Sequence, residues 1–381
     1  MREPLRHRSR TGRGRQRGQA LLILLAIITA GASAVLYSSI GPASNTSQRD
    51  NVTVAALTQA KEALIGRAAS DNNRPGSLPC PDTDNDGSAE LFAGSDCPSY
   101  IGRLPWRTLG LPDARDVSGE RLWYALFPAF RDNTAAGMLD VDTKGGLTVY
   151  RDSTATVVTA EAVAVIFAPG PVVSGQVRDG ANASNPANYL DATGGINNAV
   201  ASGPFVAAQP SPAFNDRLLV ITTSDLMPVV EKRVAREMLA LLSAYRTASA
   251  CACYPWAADD FDDDSVNGRN RGMVPIENAS PENWTDLGIT VPPWMIGSNE
   301  WGKRFYYAVA PSETATHGAG ALTADSASKN LVLITTGPAG ATRPSSNLAD
   351  YLEDAENRNN DDIFQTPSSA AYARDRLYAI P

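Results

Sequence analysis

The chain has 381 residues, 43% of them hydrophobic and 19% charged, with a net charge of −8. That length and balance describe a globular protein with room for two domains and exclude a disordered one. Without residues 1–18, which hold seven arginines and Glu3, 26 basic side chains face 40 acidic ones. A surplus of that sign repels nucleic-acid backbones and favours solubility or divalent cations.

The arginines at 2, 6, 8, 10, 13, 15 and 17 end at Gly18, and no charge follows until Arg49. An apolar run of this length suffices for a membrane-crossing helix, which needs roughly 20 residues, and the arginines hold its start in the cytoplasm. An ordinary secretory signal would be cut at Ala32-Ser33-Ala34, and an uncleaved signal anchor is the second reading. In a third, the basic leader ending in glycine against an apolar helix resembles a type IV prepilin or type II secretion pseudopilin. That resemblance implies cleavage by a prepilin peptidase after Gly18 and methylation of Gln19. It also implies assembly with other pilins or pseudopilins on an inner-membrane platform. Ile23 stands at the fifth mature position, where major pilins usually carry glutamate, so a minor, tip-located subunit is implied.

A helix is expected over 51–69, with Val54, Leu57, Leu64 and Ile65 as its buried candidates. Gly41-Pro42 would bend or break the chain before it. Cys80 and Cys97 then bracket a polar loop and are the natural disulfide pair; Cys251 and Cys253 are separated by one residue. Four cysteines allow three pairings, all left open here. With His317 the one histidine beyond the leader, zinc is not expected.

Within the loop, Asp82-Thr83-Asp84-Asn85-Asp86-Gly87 has the alternate carboxylates and glycine that open calcium loops. Ala93 stands where the closing glutamate would fall, so Glu90 is the substitute ligand and calcium the expected ion. Asp260, Asp262 and Asp264 are the candidate ligands of a second acidic loop. Each loop has a bland alternative, a solvated acidic turn.

Landmarks recur in the same order through the two halves. The first runs helix, cysteine loop, Leu104-Pro105-Trp106, Trp123-Tyr124-Ala125, an apolar strand to Gly170-Pro171, Asn188-Tyr189-Leu190-Asp191, and Asn215-Asp216-Arg217. The second runs helix, Cys253, Tyr254-Pro255-Trp256, Phe305-Tyr306-Tyr307-Ala308, a strand to Gly337-Pro338, Asp350-Tyr351-Leu352-Glu353, and Asn360-Asp361-Asp362. Its helix is expected over 226–246, with Val230, Val234, Met238, Leu241, Leu242 and Tyr245 at helical spacing and Asp225 as cap. Two unrelated α+β domains would be the alternative to duplication.

The stretch Glu300-Trp301-Gly302-Lys303-Arg304-Phe305-Tyr306-Tyr307 is similar to a strand entry of pseudopilin globular domains, and 118–124 is a weaker copy. Those domains pack the C-terminal half of a long N-terminal helix on an antiparallel sheet. The expected fold class is therefore α+β. A leader (1–18) and transmembrane helix (19–42) precede helix-plus-antiparallel-sheet domains at 43–224 and 225–381. The expected placement is a single-pass protein of a bacterial inner membrane, with both domains in the periplasm or on an extracellular filament.

No nucleophile elbow, phosphate loop or zinc-protease helix occurs, and His317 lies in a small-residue loop. Trp106, Trp123, Trp256, Trp294 and Trp301 could form a sugar platform, but beside Pro and Gly they read as core anchors. The expected function is that of a non-enzymatic pilin-like subunit. The alternatives are an anchored or secreted binding protein or adhesin, and a carboxylate-dependent hydrolase.

Overall fold

The computed structural model describes residues 44–133, 137–258, 270–296, 301–336, 348–352, 354–359, 361–367 and 375–380. Helix α1 (Ser44–Ser70) buries Leu57, Ala60, Leu64 and Ala68, a stripe at helical spacing, while Val54 and Ile65 are only half-buried. Asp71 ends it, its Oδ1 accepting the N–H groups of Asn73 and Arg74, both at 2.7 Å. The Arg74 guanidinium then reaches inward to the carbonyls of Ala129 (2.9 Å) and Arg131 (2.6 Å). Burial lowers its pKa to about 10.

Helix α2 (Thr223–Ala248) starts with a capping box, Asp225 accepting from the Thr222 N–H at 2.9 Å. Asp225 is thus the third helical residue and Thr222 the cap. Val230, Val234, Met238, Leu242 and Tyr245 are buried, and Leu241 sits at the edge of the stripe. Lys61 joins the two helices to the sheet, donating to the Val220 carbonyl and pairing with Asp225, each at 3.0 Å.

Strands β1 (Ile101–Arg103), β2 (Trp123–Leu126), β3 (Leu147–Tyr150), β4 (Val157–Ala168), β5 (Ala192–Thr193), β6 (Ile196–Asn197), β7 (Phe205–Val206) and β8 (Arg217–Thr222) belong to the first half. Strands β9 (Arg271–Met273), β10 (Phe305–Val309), β11 (Leu322–Ala324), β12 (Ala327–Lys329), β13 (Leu331–Thr335), β14 (Ile363–Phe364) and β15 (Arg376–Ile380) belong to the second. Two antiparallel paths, β1-β2-β4-β8 and β9-β10-β13-β15, have the same order and sense. Beside each lies a hairpin, β3 with the start of β4 and β11 with β12, extended by a short parallel strand, β7 or β14.

Side chains alternate across these strands, as the two-residue pleat requires. Tyr124, Leu126, Phe305, Tyr307 and Val309 turn inward to one core cluster that also holds the buried faces of both helices. Trp123 and Ala125 turn outward to Tyr189, Leu190 and Phe205, and Tyr306 and Ala308 to Tyr351, Leu352 and Phe364. Residues Asn51–Pro381 form one compact unit.

The fold class expected from sequence is corrected. The described chain is mixed α/β with several sheets, two of them containing parallel pairs, and three α-helices, the third being α3 (Ala355–Arg358). None of these helices is long and apolar enough to cross a membrane. Polar residues cover most of α1, and the apolar stripe of α2 is spent on the core. The single-pass inner-membrane placement is corrected by the same finding; the run at 19–42 that suggested it lies outside the described residues.

Truncating Leu64 to alanine should cost about 2–5 kcal/mol, because it opens a cavity beneath the helices. Ile65→Ala, one residue round the helix, should cost much less. Urea unfolding of both variants measures the difference; equal losses would show that the buried stripe is misassigned.

Candidate functional site

The loop closed by the Cys80–Cys97 disulfide carries the densest group of candidate ligands (Cα–Cα 5.5 Å). Its path is set at Asp82, whose N–H and C=O pair with Arg103 on β1 at 3.0 and 2.7 Å. The backbone of Gly102 passes so close that a Cβ there would lie 2.5 Å from the Asp82 carbonyl. The buried Asp82 carboxylate accepts from the Asn85 N–H (2.6 Å) and the Gly87 N–H (2.7 Å). Gly87 has φ +89°, and a Cβ would fall 2.5 Å from the Trp106 ring. Only glycine fits that turn.

Asp82, Asp84 and Asp86 bring one carboxylate oxygen each within 4.8 Å of the others; Asp84 and Asp86 are exposed. Burial raises the Asp82 pKa, opposed by its two N–H donors, while the bonds from Ser88 lower that of Asp86. Such hard oxygens on one side of a rigid loop suit calcium. Glu90 does not join them. Its Oε1 accepts from the Thr83 N–H (2.9 Å) and hydroxyl (2.5 Å), closing the loop from within. Arg121 steadies the turn through the Asn85 carbonyl and side-chain oxygen, both at 2.7 Å. Asp260, Asp262 and Asp264 lie outside the described residues, as do Gly18 and Gln19.

The second disulfide joins Cys251 to Cys253 across Ala252, which has φ 51°. Trp123, Trp256, Trp294 and Trp301 are buried and Trp106 half-buried, so these rings form no exposed platform. The His317 ring is exposed beside the Ser312 carbonyl.

Sequence reasoning missed a pair of buried polar locks. In the first half, Asp216 accepts from the Asp191 N–H (2.7 Å) and Asn198 Nδ2 (2.9 Å). Asn198 meanwhile bonds both the N–H and C=O of Val206. In the second, Asp375 accepts from the Asp354 N–H (3.1 Å), and Asn357 bonds both the N–H and C=O of Gln365. Each lock pins the outer segment to the last strand of its sheet. The signal was the tripeptide Asp-Arg-Leu at 216–218 and 375–377; the match to Asn360-Asp361-Asp362 pointed to the wrong segment. Likewise, Tyr124 and Tyr307 hydroxyls donate to the Pro79 and Pro255 carbonyls, so Tyr254-Pro255 corresponds to Leu78-Pro79 and not to Leu104-Pro105.

No known family matches the chain, and no curated protein or solved structure is detectably similar to it.

Burial, and then the neighbouring Asp191, push the Asp216 pKa well above the usual carboxylate range. A carboxyl with a raised folded pKa contributes stability at pH below its unfolded value, lost as pH rises through the folded value. Asp216→Asn should therefore flatten the decline of melting temperature from acid to neutral pH. Parallel pH profiles for the two proteins would contradict this assignment. Gly87→Ala should lower the melting temperature at every pH, since the clash with Trp106 is steric.

Proposed function

We propose that this chain is a non-enzymatic, prepilin-like minor subunit of a type IV pilus or type II secretion-type filament. A prepilin peptidase cuts it after Gly18, and it assembles with other pilins or pseudopilins through the segment beginning at Gln19. The carrying observation is a continuity of parts. A basic leader and charge-free run lead into α1, whose C-terminal half, from Leu57 to Ala68, is buried in one core with strands β2, β4 and β8. The two disulfides fit a protein that folds in an oxidising compartment. In this reading the acidic loop takes calcium, which offsets the mutual repulsion of Asp82, Asp84 and Asp86.

Mass spectrometry of the protein recovered from cells should find a mature N-terminus at methylated Gln19. A start at Val35 would reject the pilin reading and leave a secreted binding protein. Calcium should raise the melting temperature of the purified protein, and Asp84→Ala should abolish the rise. An unchanged melt in calcium would remove the ion and leave the filament proposal standing.

A further inference from the structure

Strand pairing sets Arg103 of β1 directly opposite Trp123 of β2, on the outward face of the first sheet. Arg103 is only 5% exposed. Its guanidinium carbon lies 4.9 Å from the Trp123 ring centroid and 4.4 Å from that of Tyr189. Nη2 donates to the Ala183 carbonyl at 2.8 Å. Nε is buried without a partner, and so is Nε1 of Trp123. Among the described residues no carboxylate pairs with Arg103. A buried cation without a counter-charge destabilises the fold, and stacking on rings recovers only part of that loss.

Two other arginines of the outer faces are provided for. Arg178, over the same Tyr189 ring at 4.8 Å, donates to the Asn188 and Gly170 carbonyls and Gln176 Oε1, and pairs with Glu120 at 3.2 Å. Arg271 on β9 pairs with Asp362.

The second half supplies an internal control. Gly102 pairs with Tyr124 as Gly272 pairs with Tyr307, so the counterpart of Arg103 opposite Trp123 is Met273 opposite Tyr306. Met273 is 2% exposed, in one apolar cluster with Tyr306 and Tyr351. The matching place in the second sheet is thus filled by a neutral side chain. Packing does not require the charge at 103.

We propose that Arg103, through its free Nε–H and with Trp123 Nε1 as a second donor, binds the oxyanion of a small carboxylate or phosphate ligand. The site lies on the outer face of the sheet, under the segment that carries Ala183 and Tyr189. An oxyanion there provides the missing counter-charge and a charge-assisted hydrogen bond. The proposal is independent of the filament reading.

The test is a thermal melt of the full chain titrated with sodium acetate or sodium phosphate, against sodium chloride at matched ionic strength. The wild type should show a saturable rise with one of the two oxyanions. A larger response to acetate identifies a carboxylate ligand; a larger response to phosphate identifies a phosphoryl one. Arg103→Met, copying the second half, should melt at least as high in chloride and lose the response. Arg103→Lys, which keeps the charge but lacks Nε, should bind roughly tenfold more weakly, or worse, in calorimetric titration. Absence of any oxyanion-specific rise in the wild type overturns the proposal, as does an undiminished response in either variant.

Discussion

Everything in this fold follows from having two small sheets that are apolar on both faces. Strands such as β10, all five of whose residues are buried, cannot leave either side to water. Burying a large apolar side chain contributes roughly 1.5–3 kcal/mol, so each face calls for a cover. The inner faces are covered together by α1 and α2. The outer faces need separate covers, which are the segments carrying Tyr189-Leu190 and Tyr351-Leu352. Those covers are mostly loop, and loops bring polar backbone that must find partners. The Asp–Asn locks meet that demand, each tying its cover to the last strand of its sheet.

The shared strand order makes differences between the halves informative. Gly102 and Gly272 allow the same close backbone approach, to Asp82 and Ala258 respectively, and the tyrosine-to-proline-carbonyl bond occurs in both. At two matched places the first half carries a charge and the second does not. It has Asp82 where the second has Ala258, and Arg103 where the second has Met273. Charge also fastens the halves to each other where Arg304 reaches Asp140 at 3.1 Å, and within the second half Arg376 pairs with the buried Glu231 of α2. A mid-helix glutamate that is 4% exposed is tolerable because that partner meets it.

The acidic loop shows how little of a site's chemistry resides in spacing alone. Its aspartates converge because Asp82 is anchored on β1, Gly87 is wedged beneath Trp106, and Glu90 locks Thr83 from inside. The exposed Asp84 and Asp86 are then held over a rigid base. A cation bound there would stiffen the loop further.

Periodicity alone identified the two long helices and most of their buried residues, because an amphipathic stripe is a local property of the chain. Recurrence of landmarks, with the similarity of 300–307 to a known strand entry, pointed to β2 and β10. It failed where positions in one half had to be matched to the other. Tyr254-Pro255 was aligned with the wrong Leu-Pro pair, and the last strand of the second half with the wrong acidic run. Strand partners far apart in sequence leave no periodic trace. Cysteine pairing, the turning of Glu90 away from its neighbouring aspartates, and the unpaired charge of Arg103 were decided by the tertiary structure. Each depends on how the backbone is folded back on itself or on a neighbouring segment, and only packing settles that.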